Sequence, residues 1–381
     1  MKVGEFEFNL RELAGSMGDF GTLFPLAIGY IAVCGMDPAG LLVMMGLANI
    51  ITGIVYRLPM PIEPKKVLAV TAIAQKWPPS LIYASGFGTG VIWLLLAGTG
   101  LIDRVARLTP KSVVRGIQLT LGVLLAIEGF KMVSTGWALG VASVIIILGL
   151  RGNRYAPAAI VLVALGLGVM AYKGELSGAT HLNFSPPTIR GFTLQEVWKS
   201  LVLGGFAQVA LTTSNAVIAT AALIEHYFPG RPVSERKLSL NMGIMNTVVP
   251  FFGGMPMCHG AGGLAGQYYF GARTGGTNII EGVLEISLGL FMGASIAKLL
   301  GAFPLSVIGA MMFLVGIELT KFVKDLRWEK DLIPAGVTAL MSLIFNMAVG
   351  FVSGVLVYHA IRQIFRFSGR CSCNSFYPNK P

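Results

Sequence analysis

A chain of 381 residues with 54% hydrophobic and only 12% charged side chains is excluded from the soluble globular class, whose surfaces need roughly a quarter of the residues charged. The formal net charge of +11 would suit nucleic acid. In so apolar a chain, however, basic residues serve as orientation signals in loops on the inner side of a membrane, and no nucleic-acid role is expected.

Residues 1–12 mix Lys2, Glu5, Glu7, Arg11 and Glu12 and lack an apolar core followed by a small-residue cleavage site. No signal peptide is expected there, and the first span is retained. Charge-free stretches at 20–36, 38–56 and 77–102 each reach, at about 1.5 Å per residue, across roughly 30 Å of hydrocarbon. The apolar runs predict an all-α polytopic membrane protein of about fourteen segments, starting near residues 13, 39, 62, 80, 112, 133, 155, 197, 238, 257, 279, 304, 331 and 348. The third and tenth are conspicuously short.

With the N-terminus inside, 21 of the 29 basic residues fall on the cytoplasmic side and 6 outside, while Lys65 and Lys66 lie in the short third segment. This asymmetry predicts a multi-pass protein of the cell membrane, in contact with the lipid bilayer, with both termini cytoplasmic. Fourteen segments divide into seven and seven, so residues 1–180 and 195–368 are expected to be inverted repeats. The offset that carries Pro59-Met60-Pro61 onto Gly254-Met255-Pro256 also carries Asp19 onto Ser214. Residues 369–381 form a short cytoplasmic tail. Its Cys371 and Cys373 have no nearby His or second Cys pair, so a bland tail is preferred to a metal site. Cys34 and Cys258 complete a set that does not read as a disulfide framework. No metal and no cofactor is expected, and the oligomeric state is open, a homodimer included.

Two runs carry chemistry. In PMPIEPKK, 59–66, three prolines block helix propagation just before a helix-forming stretch at 67–75, so a half-helix is expected to begin inside the membrane. Its free N–H groups and positive dipole end would face an anion, with Lys65 and Lys66 adding charge. The bland alternative is an interfacial loop with snorkelling lysines. In the run from Gly253 to Gly276, Pro256 breaks the ninth segment, and His259, Gly260, Ala261, Gly262 and Gly263 open another short helix. His259 is a candidate donor to an oxyanion or a coupling-proton acceptor; a packed structural histidine is the alternative. The glycines also read as helix-packing surface.

The remaining candidates are polar residues inside apolar spans. Asp19 and Thr22 lie in the first span, and Gln208, Thr212, Thr213, Ser214 and Asn215 in the eighth. Asp19 reads as a proton or cation coupling site or as a helix cap near the cytoplasmic edge. The eighth-span groups read as oxyanion donors or as interhelical hydrogen bonds. Glu128, Glu225, Glu281, Glu285 and Glu318 fall near predicted ends and are expected on solvated faces.

Both runs resemble signature motifs of the MOT-type molybdate transporters, relatives of the SulP sulfate permeases, and the likeness covers nearly the whole chain. The stretch PMCHGAGGLAGQYYFGARTG, 256–275, is its most specific part. The family's first motif usually reads Pro-Val-Gln-Pro-Met-Lys. Here Pro61, Pro64 and Lys66 match, while Glu63 replaces Gln and Lys65 replaces Met, and the two new charges are expected to pair with each other. The resemblance implies the uracil-permease-like architecture, with a core domain moving against a gate domain; the STAS domain common in SulP proteins is not expected in the short tail at 369–381. It also implies an oxyanion held by Lys66 and the amides of 258–262, Cys258 through Gly262, with Pro64, Gly21 and Thr22 close by. Coupling candidates are Asp19, Glu63 and His259.

A secondary active transporter of a tetrahedral oxyanion, molybdate, is the expected function. Sulfate or tungstate transport, a nucleobase permease of the same fold and an anion channel are the alternatives. An enzyme is not expected: Cys258 and His259 are the one candidate nucleophile–base pair, and neighbours on a helix point about 100° apart.

Overall fold

The structure, a computed structural model, describes residues 2–102, 104, 109–150, 158–175, 182–326 and 331–367. Cys371 and Cys373 lie outside the described residues. Strands β1 (Lys2–Val3) and β2 (Phe6–Glu7) form a small hairpin, followed by α1 (Leu10–Ser16), α2 (Phe20–Ala32) and α3 (Pro38–Tyr56). The first expected segment is thus two helices, broken at residues 17–19. Next come β3 (Glu63–Pro64), α4 (Lys66–Gln75), α5 (Pro79–Thr99), α6 (Lys111–Val133), α7 (Trp137–Gly149) and α8 (Ala158–Tyr172).

The second half opens with α9 (Leu194–Tyr227), which contains π-helical stretches at Leu201–Gly205 and Thr213–Ala219. It continues with α10 (Glu235–Val248), β4 (Met257–Cys258), α11 (Ala261–Phe270), α12 (Gly276–Ala302), α13 (Leu305–Thr320), α14 (Leu332–Ile344) and α15 (Met347–Phe367). Among the described helices α3, α5, α6, α9 and α12 are long and apolar enough to cross a membrane by length and composition. Their starts follow local rules: Pro38 and Pro79 sit at first-turn positions, where a missing N–H costs nothing, and the Asp37 carboxylate caps Ala39 N–H.

Two groups of helices pack among themselves. In one, α3 lies along α12 and α5 along α10, with α1 against α11 and α12; in the other, α6 packs on α13 and α14, and α14 on α15. The short helices α4 and α11, ten residues each, span about 15 Å, half of the hydrocarbon thickness. Both begin at one antiparallel strand pair in which Glu63 faces Cys258 and Pro64 faces Met257, extended by Lys65 N–H donating to Pro256 O at 2.9 Å. The prolines of both runs hold the chain extended there, because they remove donors and disfavour helix in the residue before them.

Backbone this deep needs partners, and two asparagines supply them. Asn246 accepts from Met257 N–H at 2.8 Å and donates to Met257 O at 2.7 Å. Asn278 does the same for Met60, accepting at 2.9 Å and donating at 2.6 Å. Each amide imitates a neighbouring strand for one residue. Asn278→Ala leaves both Met60 groups buried and unpaired, at about 1–3 kcal/mol each. The expected result is a clearly lowered unfolding temperature of the detergent-solubilised protein, read by intrinsic fluorescence.

Candidate functional site

Lys66 is the first residue of α4 and Glu63 the first of β3. Their side chains form an ion pair of 2.7 Å, the lysine 15% and the glutamate 1% exposed. The Glu63 carboxylate also lies on the first turn of α11: a Cβ added at Gly260 or Gly263 would overlap its two oxygens. The first amides of a helix have no partner within it and carry partial positive charge, so this place favours an anion. Gly260 and Gly263 are therefore needed for close approach. Glu63 seats an anion of the chain itself at the junction of the two short helices.

Several expectations change here. Glu63 does not pair with Lys65. Lys65, fully buried, donates from Nζ to Thr89 Oγ1 at 2.6 Å, toward α5. The helix begins at residue 66, so the side-chain period switches from two to 3.6 and brings residue 66, three positions on, over Glu63. A buried ammonium with one hydroxyl partner is expensive, and methionine has the length to fill its place. Lys65→Met is expected to raise the unfolding temperature while leaving anion binding within about threefold, checked by thermal unfolding and calorimetry.

Gln208 is not an open donor to an oxyanion. Its Oε1 accepts from Val67 N–H at 2.8 Å and Leu68 N–H at 3.4 Å, and its Nε2 donates to Thr212 Oγ1 at 2.7 Å. It therefore caps α4, and the first-turn amides expected to face an anion there are largely taken. The π-helical stretches on either side of Gln208 displace the register of α9, a distortion common at functional sites.

His259 does not converge on Lys66. Its Nδ1 lies 3.2 Å from Pro61 O, its ring meets Tyr56 edge-on, and its Nε2 has no partner among the described residues. Alternation along the strand turns it away from the side on which Cys258 faces Glu63. Asp19 occupies the N-cap position of α2 without a capping bond, and neither of its oxygens has a partner among the described residues.

The other candidates surround the pair. Pro64 and the free thiol of Cys258 are buried in the strand pair. Gly21 and Thr22 lie in the first turn of α2, which packs on β3 and α4. Asn215, half-buried, lies in the π-helical stretch that packs on α11. Ala261 is half-buried, Gly262 is exposed, and a Cβ at Gly262 would meet only open space. Lys66, Glu63, Cys258 and the first turn of α11 are thus brought together, with Thr22 and Asn215 on flanking elements.

Glu225 is exposed and Glu128 pairs with Lys131, while the side chain of Glu318 lies outside the described set. Glu281 and Glu285 overturn the expectation of solvated faces: they are 2% and 6% exposed, well inside α12. Their spacing of four within a long apolar run was the available signal. Glu12 is buried too, accepting from Arg273 N–H and Thr274 N–H and from the Thr277 hydroxyl.

A sequence profile of the family described as "Molybdate transporter of MFS superfamily" matches residues 11–125 and 200–319. Molybdate transporter 1 of Arabidopsis thaliana is 32% identical, over 98% of this chain and 92% of that protein. The chain belongs to the molybdate transporter family. The family's members are transporters, not enzymes, and with its apolar helices this member is a multi-pass membrane protein.

The fold of this family member is similar to that of SLC26A9, with a TM-score of 0.70 at 14% identity, over 93% of this chain; the chain spans 65% of that one. The transmembrane domain of the cyanobacterial bicarbonate transporter BicA superposes with a TM-score of 0.62 at 17% identity, over 92% of this chain and 96% of that domain.

Proposed function

We propose that the protein is a secondary active transporter of molybdate, bound as a tetrahedral oxyanion between the first turns of α4 and α11. The observation that carries this reading is the Glu63 carboxylate seated on the α11 N-terminus beside Lys66: the place already holds an anion. An incoming oxyanion takes over those donors, with the amides of 258–262 and the side chains of Thr22 and Asn215 at its edge. Helix dipoles and one ammonium bind a dianion firmly enough to replace its hydration yet still release it.

The choice of molybdate follows from family membership and from the named function of the Arabidopsis relative. Tungstate, nearly the same size, is expected to compete. Residues 1–180 and 195–368 act as inverted repeats in the cell membrane with cytoplasmic termini. The helix group around α3, α5, α10 and α12 carries the short helices and moves against the group around α6, α13, α14 and α15, alternating access to the site. A proton or cation accompanies the anion.

The test is isothermal titration of purified protein with molybdate, tungstate, sulfate and uracil, followed by counterflow in proteoliposomes. Molybdate and tungstate binding with no uracil heat, plus counterflow, is expected. Uracil binding would overturn the substrate class, and unitary currents without counterflow would make the protein a channel.

A further inference from the structure

Behind the anion place lies a buried acidic group that the proposed transport step does not use. Glu281 and Glu285 are one turn apart on α12 and share a face, both buried. Asn49 of α3 donates to Glu285 Oε2 at 2.9 Å and, through Oδ1, accepts from Asn278 at 2.8 Å, the residue that clamps Met60. Gln267 of α11, fully buried, reaches Glu281 Oε2 at 3.5 Å through Nε2. Asp19 completes the group. The backbone of Gly18 packs directly on that of Gly266 and Gln267, leaving no room for a Cβ, and α2, which Asp19 begins, packs on β3, α4 and α12.

Acceptors without donors define this place. Both Asp19 oxygens, Glu281 Oε1, Glu285 Oε1 and, independently of the acids, Gln267 Oε1 are buried with no partner among the described residues. Carboxylates and amide oxygens only accept, so the set lacks hydrogens, and a protonated carboxyl is the group that supplies one. Among the described residues no three His, Cys, Asp or Glu groups converge to hold one metal ion, so separate proton sites fit better than a chelated cation.

We propose that Glu281 and Glu285, with Asp19 as the link to Glu63 and Lys66, form the proton-binding site coupled to oxyanion transport. The inference rests on the transport reading above. The groups facing the site are Asp19 at the start of α2, Glu63 of β3, Lys66 of α4, Gln267 of α11 and Asn49 of α3. On the α1 side, Glu12 is held by the 273–277 turn. Proton uptake here changes the field at Glu63 and Lys66 and is relayed through Asn278 and Gln267, which touch the two half-helix units.

Two measurements separate this inference from the transport reading. The first needs no substrate: infrared spectra of lipid-embedded protein across pH, wild type against Glu281→Gln/Glu285→Gln. The wild type is expected to show a protonated-carboxyl band that the variant lacks. The single Glu285→Gln, whose new amide keeps the Asn49 bond, serves if the double variant unfolds. No difference band at any pH overturns the site, whether or not molybdate binds.

The second uses proteoliposomes holding a pH dye. Wild-type molybdate uptake is expected to acidify the lumen and to accelerate in an inward proton gradient. The double variant is expected to bind molybdate within about threefold of wild type and to retain counterflow, while proton movement falls at least tenfold. Proton movement surviving in the variant, or uptake driven by a sodium gradient instead, overturns the coupling role. Absence of wild-type molybdate binding and counterflow, with the infrared band intact, would fault the transport reading alone.

Discussion

Glutamine at position 63 is expected to tighten molybdate binding by at least about tenfold, or 1.4 kcal/mol. In the wild type the Glu63 carboxylate holds the Lys66 ammonium and lies against the first turn of α11, the place that an oxyanion would use. A substrate anion entering beside it meets a like charge. At about 5 Å and an effective dielectric near 20, one such pair costs about 3 kcal/mol before solvent screening, and a dianion feels it twice. Part of that is screened, since Lys66 reaches the open side of the site.

Glutamine keeps the shape and an acceptor for Lys66 and removes the charge, and it is the residue usual in the family motif that this segment resembles. The measurement is calorimetric titration at one fixed pH. Unchanged or weaker binding would mean that the oxyanion sits away from the junction of α4 and α11.

Alanine at position 66 is expected to do the opposite and more. It removes the one ammonium paired at the junction and leaves Glu63, 1% exposed, as a buried charge without its partner. Breaking a buried pair in this way costs about 3–5 kcal/mol of stability, and molybdate affinity should fall at least about a hundredfold, or 2.7 kcal/mol.

Instability and lost binding can be told apart with Glu63→Gln in the same chain. The double variant carries no unpaired charge, so its unfolding temperature is expected to return most of the way toward wild type. Its molybdate affinity should stay well below that of Glu63→Gln alone, because the ammonium is still missing. Full recovery of affinity in the double variant would show that Lys66 serves only to neutralise Glu63.

Much of this was legible in the residues. The apolar runs marked the helices, because lipid tolerates few charges and a helix satisfies its own backbone. The prolines at 59, 61 and 64 and at 256 marked the places where two short helices begin, since proline cannot propagate a helix through its own position. The expected starts at 39, 80, 112, 238, 279, 304 and 348 fall within about three residues of the observed ones, as terminal fraying allows.

What the residues did not disclose was which polar group meets which. Glu63 and Lys65 stand two apart and seemed matched in charge, yet the change from strand to helix between them hands the pairing to Lys66 and sends Lys65 to Thr89. Gln208 read as a substrate donor and is a helix cap, because α4, far off in sequence, presents its amides there. Glu281 and Glu285 read as solvated, because the α3, α11 and α2 surfaces that bury them are brought in only by the fold.

By itself the sequence determined the membrane class and the places where the two short helices begin, since these follow from hydropathy and backbone geometry along the chain. Only the tertiary structure decided the partners of the buried charges. Apart from Glu63 and Lys66, which are three residues apart, those pairings are fixed by distances across elements tens to hundreds of residues apart.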